Sequence, residues 1–249
     1  MDVRGIVVCV DYDDLLRITL PRNLRFLREV LVVTSPGDAR TRDIVNATPG
    51  ARLHVTDAFY RHGAQFNKGA AMEEGFDALG REGWIWVWDA DILLPEDWTW
   101  PDADPSCLYG TRRHMLPIVE PHLLPHDWKQ CFLQPDITIN GYFQLFHAAA
   151  EHVAAVRPWY GLGWGHAAQS DIEFSALYPK DKQVWLPEPV RHLGPADQNW
   201  AGRVVPRLDS QPIPHSMQRW EYMLRFWHMR LTLKEVGDFE RIKIPQEPK

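Results

Sequence analysis

One stretch constrains the fold of this 249-residue chain more than any other: an apolar segment that ends in two carboxylates, within residues 83–95. Every position of the segment is apolar, so both faces of a strand built from it would be apolar. That pattern is typical of a central strand that is buried on both sides. The apolar positions are Trp84, Ile85, Trp86, Val87 and Trp88, and the carboxylates that follow are Asp89 and Asp91.

The position of the two carboxylates suggests a site. In open α/β sheets, ligands bind outside the carboxyl ends of the strands, which is where Asp89 and Asp91 would lie. Two carboxylates this close repel each other unless a cation lies between them. A hard divalent ion, Mg²⁺ or Mn²⁺, that carries a phosphate-bearing substrate would remove this cost. A solvated Asp-x-Asp turn is the alternative on these residues alone.

Composition and charge narrow the class of protein. Apolar residues make up 45% of the chain, enough for a large core, and the formal net charge of −6 argues against a uniformly basic surface for nucleic acid. The three cysteines show no CxxC spacing and predict buried thiols in a reducing compartment. No apolar run reaches membrane-spanning length, and residues 1–5 lead directly into a predicted strand. We therefore expect a soluble, cytoplasmic protein without a signal peptide.

Strands and helices alternate in the first hundred residues. Apolar runs predict strands over 5–12, 29–34 and 51–56, before the opening stretch. Helical spacing is found between them, with Asp13 and Asp14 expected to cap the first helix. The predicted helices cover about 13–20, 39–46 and 66–79. This alternation predicts right-handed βαβ units and a mostly parallel sheet flanked by helices, an α/β fold.

The second half has more prolines and shorter predicted elements. A strand is expected over 137–146 and a helix over 148–156. A second helix is expected over 170–178, with Ser170 as its N-cap. Short strands are expected over 184–186 and 190–193, and a core-facing amphipathic helix over 217–233.

Three motifs carry a family resemblance. Residues 66–70 (F-N-K-G-A) precede Gly75-Phe76, residues 88–91 (W-D-A-D) precede Pro95, and residues 161–165 (G-L-G-W-G) precede residues 170–174 (S-D-I-E-F). In this order they resemble the F-N-R-A…G-F, D-x-D and G-W-G…E-D elements of the β-1,4-galactosyltransferase group and related bacterial family-2 enzymes. The resemblance spans about residues 7–192. Two departures are present: four residues separate Gly165 from Ser170, and Ser170 replaces the glutamate of the family.

The resemblance implies a GT-A (Rossmann-like) fold that transfers a hexose from a nucleotide sugar, with a UDP-sugar favoured, to an acceptor hydroxyl. It implies one domain over 1–249, with a nucleotide-sugar-binding half (1–100), an acceptor and catalytic half (101–215), and a C-terminal helix and tail (216–249). The residues that it places at the donor are Asp11, Tyr12, Thr34, Asp57, Phe66, Asn67, Lys68, Asp89, Ala90 and Gly141.

The resemblance also implies a metal and a base. Asp91 would be the main ligand, with Asp89 and His192 completing the set. The histidine favours Mn²⁺, with Mg²⁺ as the alternative, because Mn²⁺ tolerates mixed oxygen and nitrogen ligands better. Asp171 matches the general base, which would act opposite the leaving diphosphate and so invert the anomeric carbon. Glu173 is a second candidate for the base, and Trp164, Gly165 and Ser170 would lie on the acceptor side.

Two other functions remain open on the sequence. A nucleotidyltransferase would hold Mg²⁺ on Asp89 and Asp91, although the acidic segment 11–14 is a poor place for a triphosphate. A non-catalytic sugar-binding module would use the twelve tryptophans. The acceptor is equally open: a polysaccharide is the default, with a protein side chain or a hydroxymethylated DNA base as alternatives. The oligomeric state is not indicated.

Overall fold

A computed structural model of the protein describes residues 1–116, 128–135, 138–194, 201–203, 207–208 and 242–243. The predicted helix over 217–233 lies outside these residues. So does nearly all of the segment 216–249, and the predicted domain boundaries stay predictions. No helix in the described part of the chain is long and apolar enough to cross a membrane.

The described helices are short to medium in length, and four 3-10 turns accompany them. The helices are α1 (Asp13–Asn23), α2 (Ala39–Asn46), α3 (Lys68–Leu79), α4 (Glu151–Ala154) and α5 (Ser170–Ser175). The 3-10 turns cover Leu24–Phe26, Ala58–Gly63, Trp128–Gln130 and Lys180–Lys182.

Strands are more numerous than helices, and most are short. They are β1 (Val3–Val8), β2 (Glu29–Thr34), β3 (Ala51–Val55), β4 (Trp84–Asp89), β5 (Ile92–Leu93), β6 (Leu108–Gly110), β7 (Arg113–Leu116), β8 (Phe143–His147), β9 (Val156–Arg157), β10 (Gln183–Trp185), β11 (Val190–Leu193) and β12 (Ile242–Lys243).

A seven-stranded sheet forms the centre of the molecule, in the order β10-β6-β8-β4-β1-β2-β3. The pairings of β1 with β2 and β4 are parallel, and β8 is antiparallel to both of its neighbours. Within this sheet only β8 therefore runs against the other strands. The predicted α/β class, with a mostly parallel sheet flanked by helices, is confirmed.

Helices cover both faces of this sheet. On one face, side chains of α1 and α2 such as Leu16 and Val45 pack with the tryptophans of β4. On the other face, Phe76 of α3 and Phe174 of α5 pack with the opposite side chains of the same strands. Trp86 and Trp88 are fully buried, so these two tryptophans belong to the core, as a strand that is apolar on both faces requires.

The strand register brings the carboxyl ends of β1, β2 and β4 to the same edge of the central sheet. Val8 of β1 pairs with Val33 of β2 and with Asp89 of β4, so the segments after these strands leave from one edge of the sheet. A second, three-stranded sheet (β5-β11-β7) begins just beyond Asp89. It pairs His192 of β11 with Ile92 of β5, and the backbone N–H of Leu193 donates to the carbonyl of Asp91 at 2.8 Å.

Several predicted boundaries were wrong. The first strand ends at Val8; Cys9 and Val10 are buried beyond it, although the N–H of Cys9 still donates to the carbonyl of Val33 at 2.9 Å. Helix α1 begins at Asp13 itself and has no side-chain cap. The strand expected from residue 137 begins at Phe143, after a turn closed by its N–H on the carbonyl of Asn140.

Two predicted helices are shorter than expected. The helix expected over 148–156 is the single turn α4, after which the chain enters β9. The helix expected over 170–178 ends at Ser175, and its N-cap is Gln169, with a positive φ of 89°, and not Ser170. Cys9 and Cys107 are buried free thiols, as predicted, whereas Cys131 is half-buried.

Candidate active site

A cavity of about 350 Å³ opens at the carboxyl edge of the central sheet, where β1 and β4 end. Its walls come from the segments after these strands, the start of α3, the second sheet and the first turn of α5. The predicted site residues that line it are Tyr12, Phe66, Lys68, Asp89, Ala90, Asp91, Asp171 and His192.

Asp91 and His192 meet at one end of this cavity. The register of β5 and β11 places His192 Nε2 3.3 Å from Asp91 Oδ2. Among the described residues, neither Asp91 Oδ1 nor His192 Nδ1, both buried, has a hydrogen-bond partner. Burial alone would raise the pKa of Asp91, but the neighbouring His192, with help from Arg113 and Lys68, lowers it.

Lys68 and Asp89 form an ion pair beside this couple. Asn67 caps α3 by accepting the N–H of Ala70 at 2.9 Å, and this fixes where Lys68 leaves the helix. Lys68 is only 8% exposed, and its Nζ lies 2.5 Å from Asp89 Oδ1. Burial would lower the pKa of Lys68, but the carboxylates around it, Asp89 first, raise it overall.

The predicted metal ligands fit a divalent ion in part. Two neighbouring ligands on an octahedral ion at about 2.1 Å lie roughly 3 Å apart, close to the spacing of Asp91 and His192. The partnerless Asp91 Oδ1 also suits a cation. Asp89, however, faces Lys68, and no cluster of three His, Cys, Asp or Glu side chains that could hold a metal is present in the described part of the chain. Asp91 and His192 therefore fit two neighbouring positions of a cation site, while Asp89 is engaged by Lys68.

Asp171 lies on the cavity wall with its carboxylate held by two backbone donors. The N–H of Gly141 donates to Oδ2 at 2.6 Å and that of Ile172 donates to Oδ1 at 2.9 Å. A methyl group at Gly141 would lie 2.8 Å from Asp171 Oδ2, so the approach requires glycine there. Burial raises the pKa of Asp171; Asp89 adds to this, and Lys68 opposes it.

A buried network holds the backbone of Asp171 from behind. Gln144 of β8 is fully buried and donates from Nε2 to the carbonyl of Asp171 at 3.0 Å and to Ser175 Oγ at 2.9 Å. Its Oε1 accepts the hydroxyl of Tyr160. This residue was missed at the sequence level, because a lone glutamine in an apolar strand gives no distinctive pattern.

Glu173 has a different environment. Its Oε1 accepts the indole N–H of Trp164 at 2.7 Å, and a methyl group at Gly161 would lie 1.9 Å from its other oxygen. The cavity lining does not include the other residues predicted on this side, which are Glu173, Trp164, Gly165 and Ser170. Glu173 thus positions the glycine-aromatic loop, and Asp171 is the carboxylate that faces the cavity.

Five predicted donor residues are not part of the cavity lining: Asn67 and Gly141, which flank lining residues, and Asp11, Thr34 and Asp57 at the same sheet edge. Thr34 is fully buried and Asp11 is exposed. Asp38, which was missed, joins them: it accepts the backbone N–H of Asp11 at 2.8 Å and that of Thr41 at 3.0 Å. Asp57 is exposed and forms an ion pair with Arg61.

The two carboxylates at the start of α1 are already paired with arginines. Arg203 pairs with Asp14 and lies 4.6 Å over the ring of Tyr12, while Arg207 pairs with Asp13. The lining also includes residues outside the predicted set, among them Arg113, whose guanidinium lies 4.1 Å over the ring of Tyr142. The others are Val8, Val10, Gln134, Asn140, Tyr142, Ala167, Ala168, Gln169 and Ile172.

Comparison with known proteins gives a distant likeness only. No protein-family model matches the chain, and no curated protein matches it significantly. Glucosyl-3-phosphoglycerate synthase from Mycobacterium tuberculosis, solved with Mn²⁺, UDP-glucose and phosphoglyceric acid, is 14% identical (TM-score 0.47; 99% of this chain, 87% of that chain). Inositol-1-phosphate CTP transferase from T. maritima is 8% identical (TM-score 0.43; 77% of this chain, 84% of that chain). At these TM-scores the likeness assigns no activity, and the α/β class rests on the sheet itself.

Proposed function

We propose that this chain is a metal-dependent glycosyltransferase that moves a hexose from a nucleotide sugar, with a UDP-sugar favoured, to an acceptor hydroxyl. One observation supports this most: a single cavity is lined both by the candidate metal ligands Asp91 and His192, which lie 3.3 Å apart, and by the carboxylate of Asp171. Sugar transfer from a nucleotide sugar needs both groups. The departing diphosphate gains negative charge, which a cation stabilises, and the acceptor hydroxyl loses a proton, which a carboxylate accepts.

The donor would lie at the Asp91 end. Asp91 and His192, joined by Asp89, would hold Mn²⁺ or Mg²⁺, which supplies stabilisation for the departing diphosphate. Lys68 lines the same space, and its ammonium can bind a phosphate oxygen. Tyr12 and Phe66 supply aromatic surface for the base or the sugar.

Asp171 would act on the acceptor. Its carboxylate takes the hydroxyl proton as the acceptor oxygen attacks the anomeric carbon. One carbon–oxygen bond forms, the bond from that carbon to the diphosphate breaks, and the proton stays on Asp171. The proposal places base and leaving group on opposite sides of the sugar, and this arrangement inverts the anomeric carbon.

The test is turnover with a panel of nucleotide sugars and Mn²⁺, in which nucleoside diphosphate release is measured with and without candidate acceptors. Oligosaccharides, hydroxyl-bearing peptides and DNA with hydroxymethylated bases form the acceptor panel. We expect UDP release from a UDP-hexose that depends on Mn²⁺ and is accelerated by one acceptor class. Pyrophosphate release from a nucleoside triphosphate would instead indicate nucleotidyl transfer. Glycan binding without metal and without turnover would indicate a binding module.

A further inference from the structure

We propose that Lys68 is an internal counter-ion that occupies Asp89 until the diphosphate of the donor draws its ammonium away, so that metal and donor bind cooperatively. The inference rests on the proposed function, because it takes a nucleoside diphosphate as the ligand. It assigns to Lys68 a role in the order of binding, beyond contact with the donor.

The ion pair is placed where the metal would bind. Lys68 Nζ lies 2.5 Å from Asp89 Oδ1, while Asp91, two residues further on, is in contact with His192. Asp91 and His192 therefore lie together as two of the three expected ligands, and Asp89, the third, is paired with Lys68. An ammonium and a divalent cation repel each other at this range, so they cannot share one carboxylate oxygen.

The backbone around Lys68 is fixed, so the exchange falls to its side chain. The next residue, Gly69, packs so closely that a methyl group there would lie 2.0 Å from the carbonyl oxygen of Gly161. Asn67 closes the turn on the other side, with its Nδ2 donating to the carbonyl of Leu162 at 2.9 Å. The four-carbon stem of the lysine is flexible and ends inside the cavity.

A diphosphate offers Lys68 a better partner than Asp89 does. It carries more negative charge than one carboxylate and has several acceptor oxygens, and its bonds to an ammonium are charge-assisted. Once the ammonium moves to the phosphate, the Asp89 carboxylate is released and can join Asp91 and His192 as the third ligand. By linkage, the donor then tightens metal binding by the same factor as the metal tightens donor binding.

The experiment measures Mn²⁺ affinity by electron paramagnetic resonance of the free ion, with and without UDP, on the wild-type chain and two variants. Lys68→Met removes the ammonium but keeps the length of the side chain. We expect this variant to bind Mn²⁺ without UDP about tenfold more tightly than wild type. The factor by which UDP tightens Mn²⁺ binding should be about tenfold smaller than in wild type, which is within the usual range of coupling between sites. Unchanged or weaker Mn²⁺ binding by Lys68→Met without UDP would overturn the inference.

Asp89→Asn is the second variant, and it tests the other partner of the ion pair while Lys68 is still present. Because Asp89 is already engaged by Lys68, its loss should leave Mn²⁺ affinity without UDP within about twofold of wild type, yet weaken Mn²⁺ binding at least tenfold when UDP is present. An equal loss in both conditions would mean that Asp89 is free to bind metal, against the inference. Mn²⁺ affinity without UDP does not depend on sugar transfer. The inference about Lys68 can therefore fail or hold independently of the turnover test of the proposed function.

Discussion

Asp171 and Glu173 are separated by one residue in α5, but the two carboxylates have different surroundings. Asp171 faces the cavity and accepts two backbone N–H groups, from Gly141 and Ile172. Glu173 turns to the indole of Trp164. The first environment suits a base that meets a substrate, and the second suits a residue that orders a loop.

Asp171→Asn should therefore separate binding from transfer. The amide keeps the shape of the side chain but cannot take the proton, so we expect the transfer rate to fall about 10²–10⁴-fold. Donor affinity, measured by titration calorimetry with a UDP-hexose and Mn²⁺, should stay within about twofold. Glu173→Gln is the matched control, because its amide oxygen can still accept the indole N–H of Trp164. Equal loss of donor affinity and transfer in Asp171→Asn would argue against the base assignment.

The acidity of Asp171 predicts a pH profile. Burial raises its pKa above the ordinary 3.8, and the base works only when deprotonated. With donor and Mn²⁺ saturating, kcat should be constant above the raised pKa and fall tenfold per unit as the pH drops below it, at a higher pH than an ordinary aspartate would titrate. The residual rate of Asp171→Asn should lack this limb. A wild-type profile that stays flat down to the ordinary range would contradict the assignment.

Single residues were predictable from the sequence to unequal extents. Asp91, His192 and Asp171 line the cavity as the motifs indicate, because their positions follow from strand ends and a helix start. The pairing of Lys68 with Asp89 was not predictable, since it depends on side chains that only the fold brings together. Their roles in metal binding and catalysis stay predictions.

At the scale of elements, the predictions held where burial and strand pairing coincide. The strands Glu29–Thr34 and Val190–Leu193 match their predicted bounds fully. The first strand was predicted too long because the apolar run continues through Cys9 and Val10, which are buried beyond the end of the strand, and hydrophobicity reports burial alone. The helix expected over 148–156 is cut short by the strand pairing of Val156 and Arg157 with Ile242 and Lys243, which lie far along the chain.

Close packing between α3 and the glycine-aromatic loop leads to an element-scale prediction. Alanine is ordinarily about 1 kcal/mol better than glycine within a helix. At Gly69, however, the added methyl group would lie 2.0 Å from the carbonyl oxygen of Gly161, which is backbone and cannot turn aside. We expect Gly69→Ala to lower the free energy of unfolding by about 1–3 kcal/mol, as overpacking does, in urea titrations.

Gly37→Ala is the control for this substitution, because an added methyl group there would meet no described atom within 4 Å. Its free energy of unfolding should stay within about 0.5 kcal/mol of wild type. If Gly69→Ala were as stable as Gly37→Ala, the loop would not be packed against α3 as described. Transfer activity should fall with stability in Gly69→Ala, since the same contact orders the segments that carry Lys68 and Asp171.

At the scale of the whole molecule, the site lies where two sheets meet. The central sheet supplies Asp89 at the end of β4. The three-stranded sheet supplies His192, which is about a hundred residues further along the chain but is paired with β5 beside Asp91. The fold class was predictable, because alternation of strands and helices fixes a parallel sheet locally. The second sheet was not, since its strands are short and their pairing is set by tertiary contacts.

The central claim is that this junction binds a nucleotide sugar through a metal. The most direct test is the thermal unfolding of the wild-type chain and Asp91→Asn with a UDP-hexose, in the presence and absence of Mn²⁺. A ligand at one hundred times its Kd stabilises a fold by about 2.7 kcal/mol, and each kcal/mol shifts Tm by about 2–4 °C at this size. We predict a rise of about 5–10 °C for wild type with both ligands, and little change with either alone or in Asp91→Asn. The same rise without Mn²⁺ or in Asp91→Asn, or no rise with any nucleotide sugar, would contradict the account.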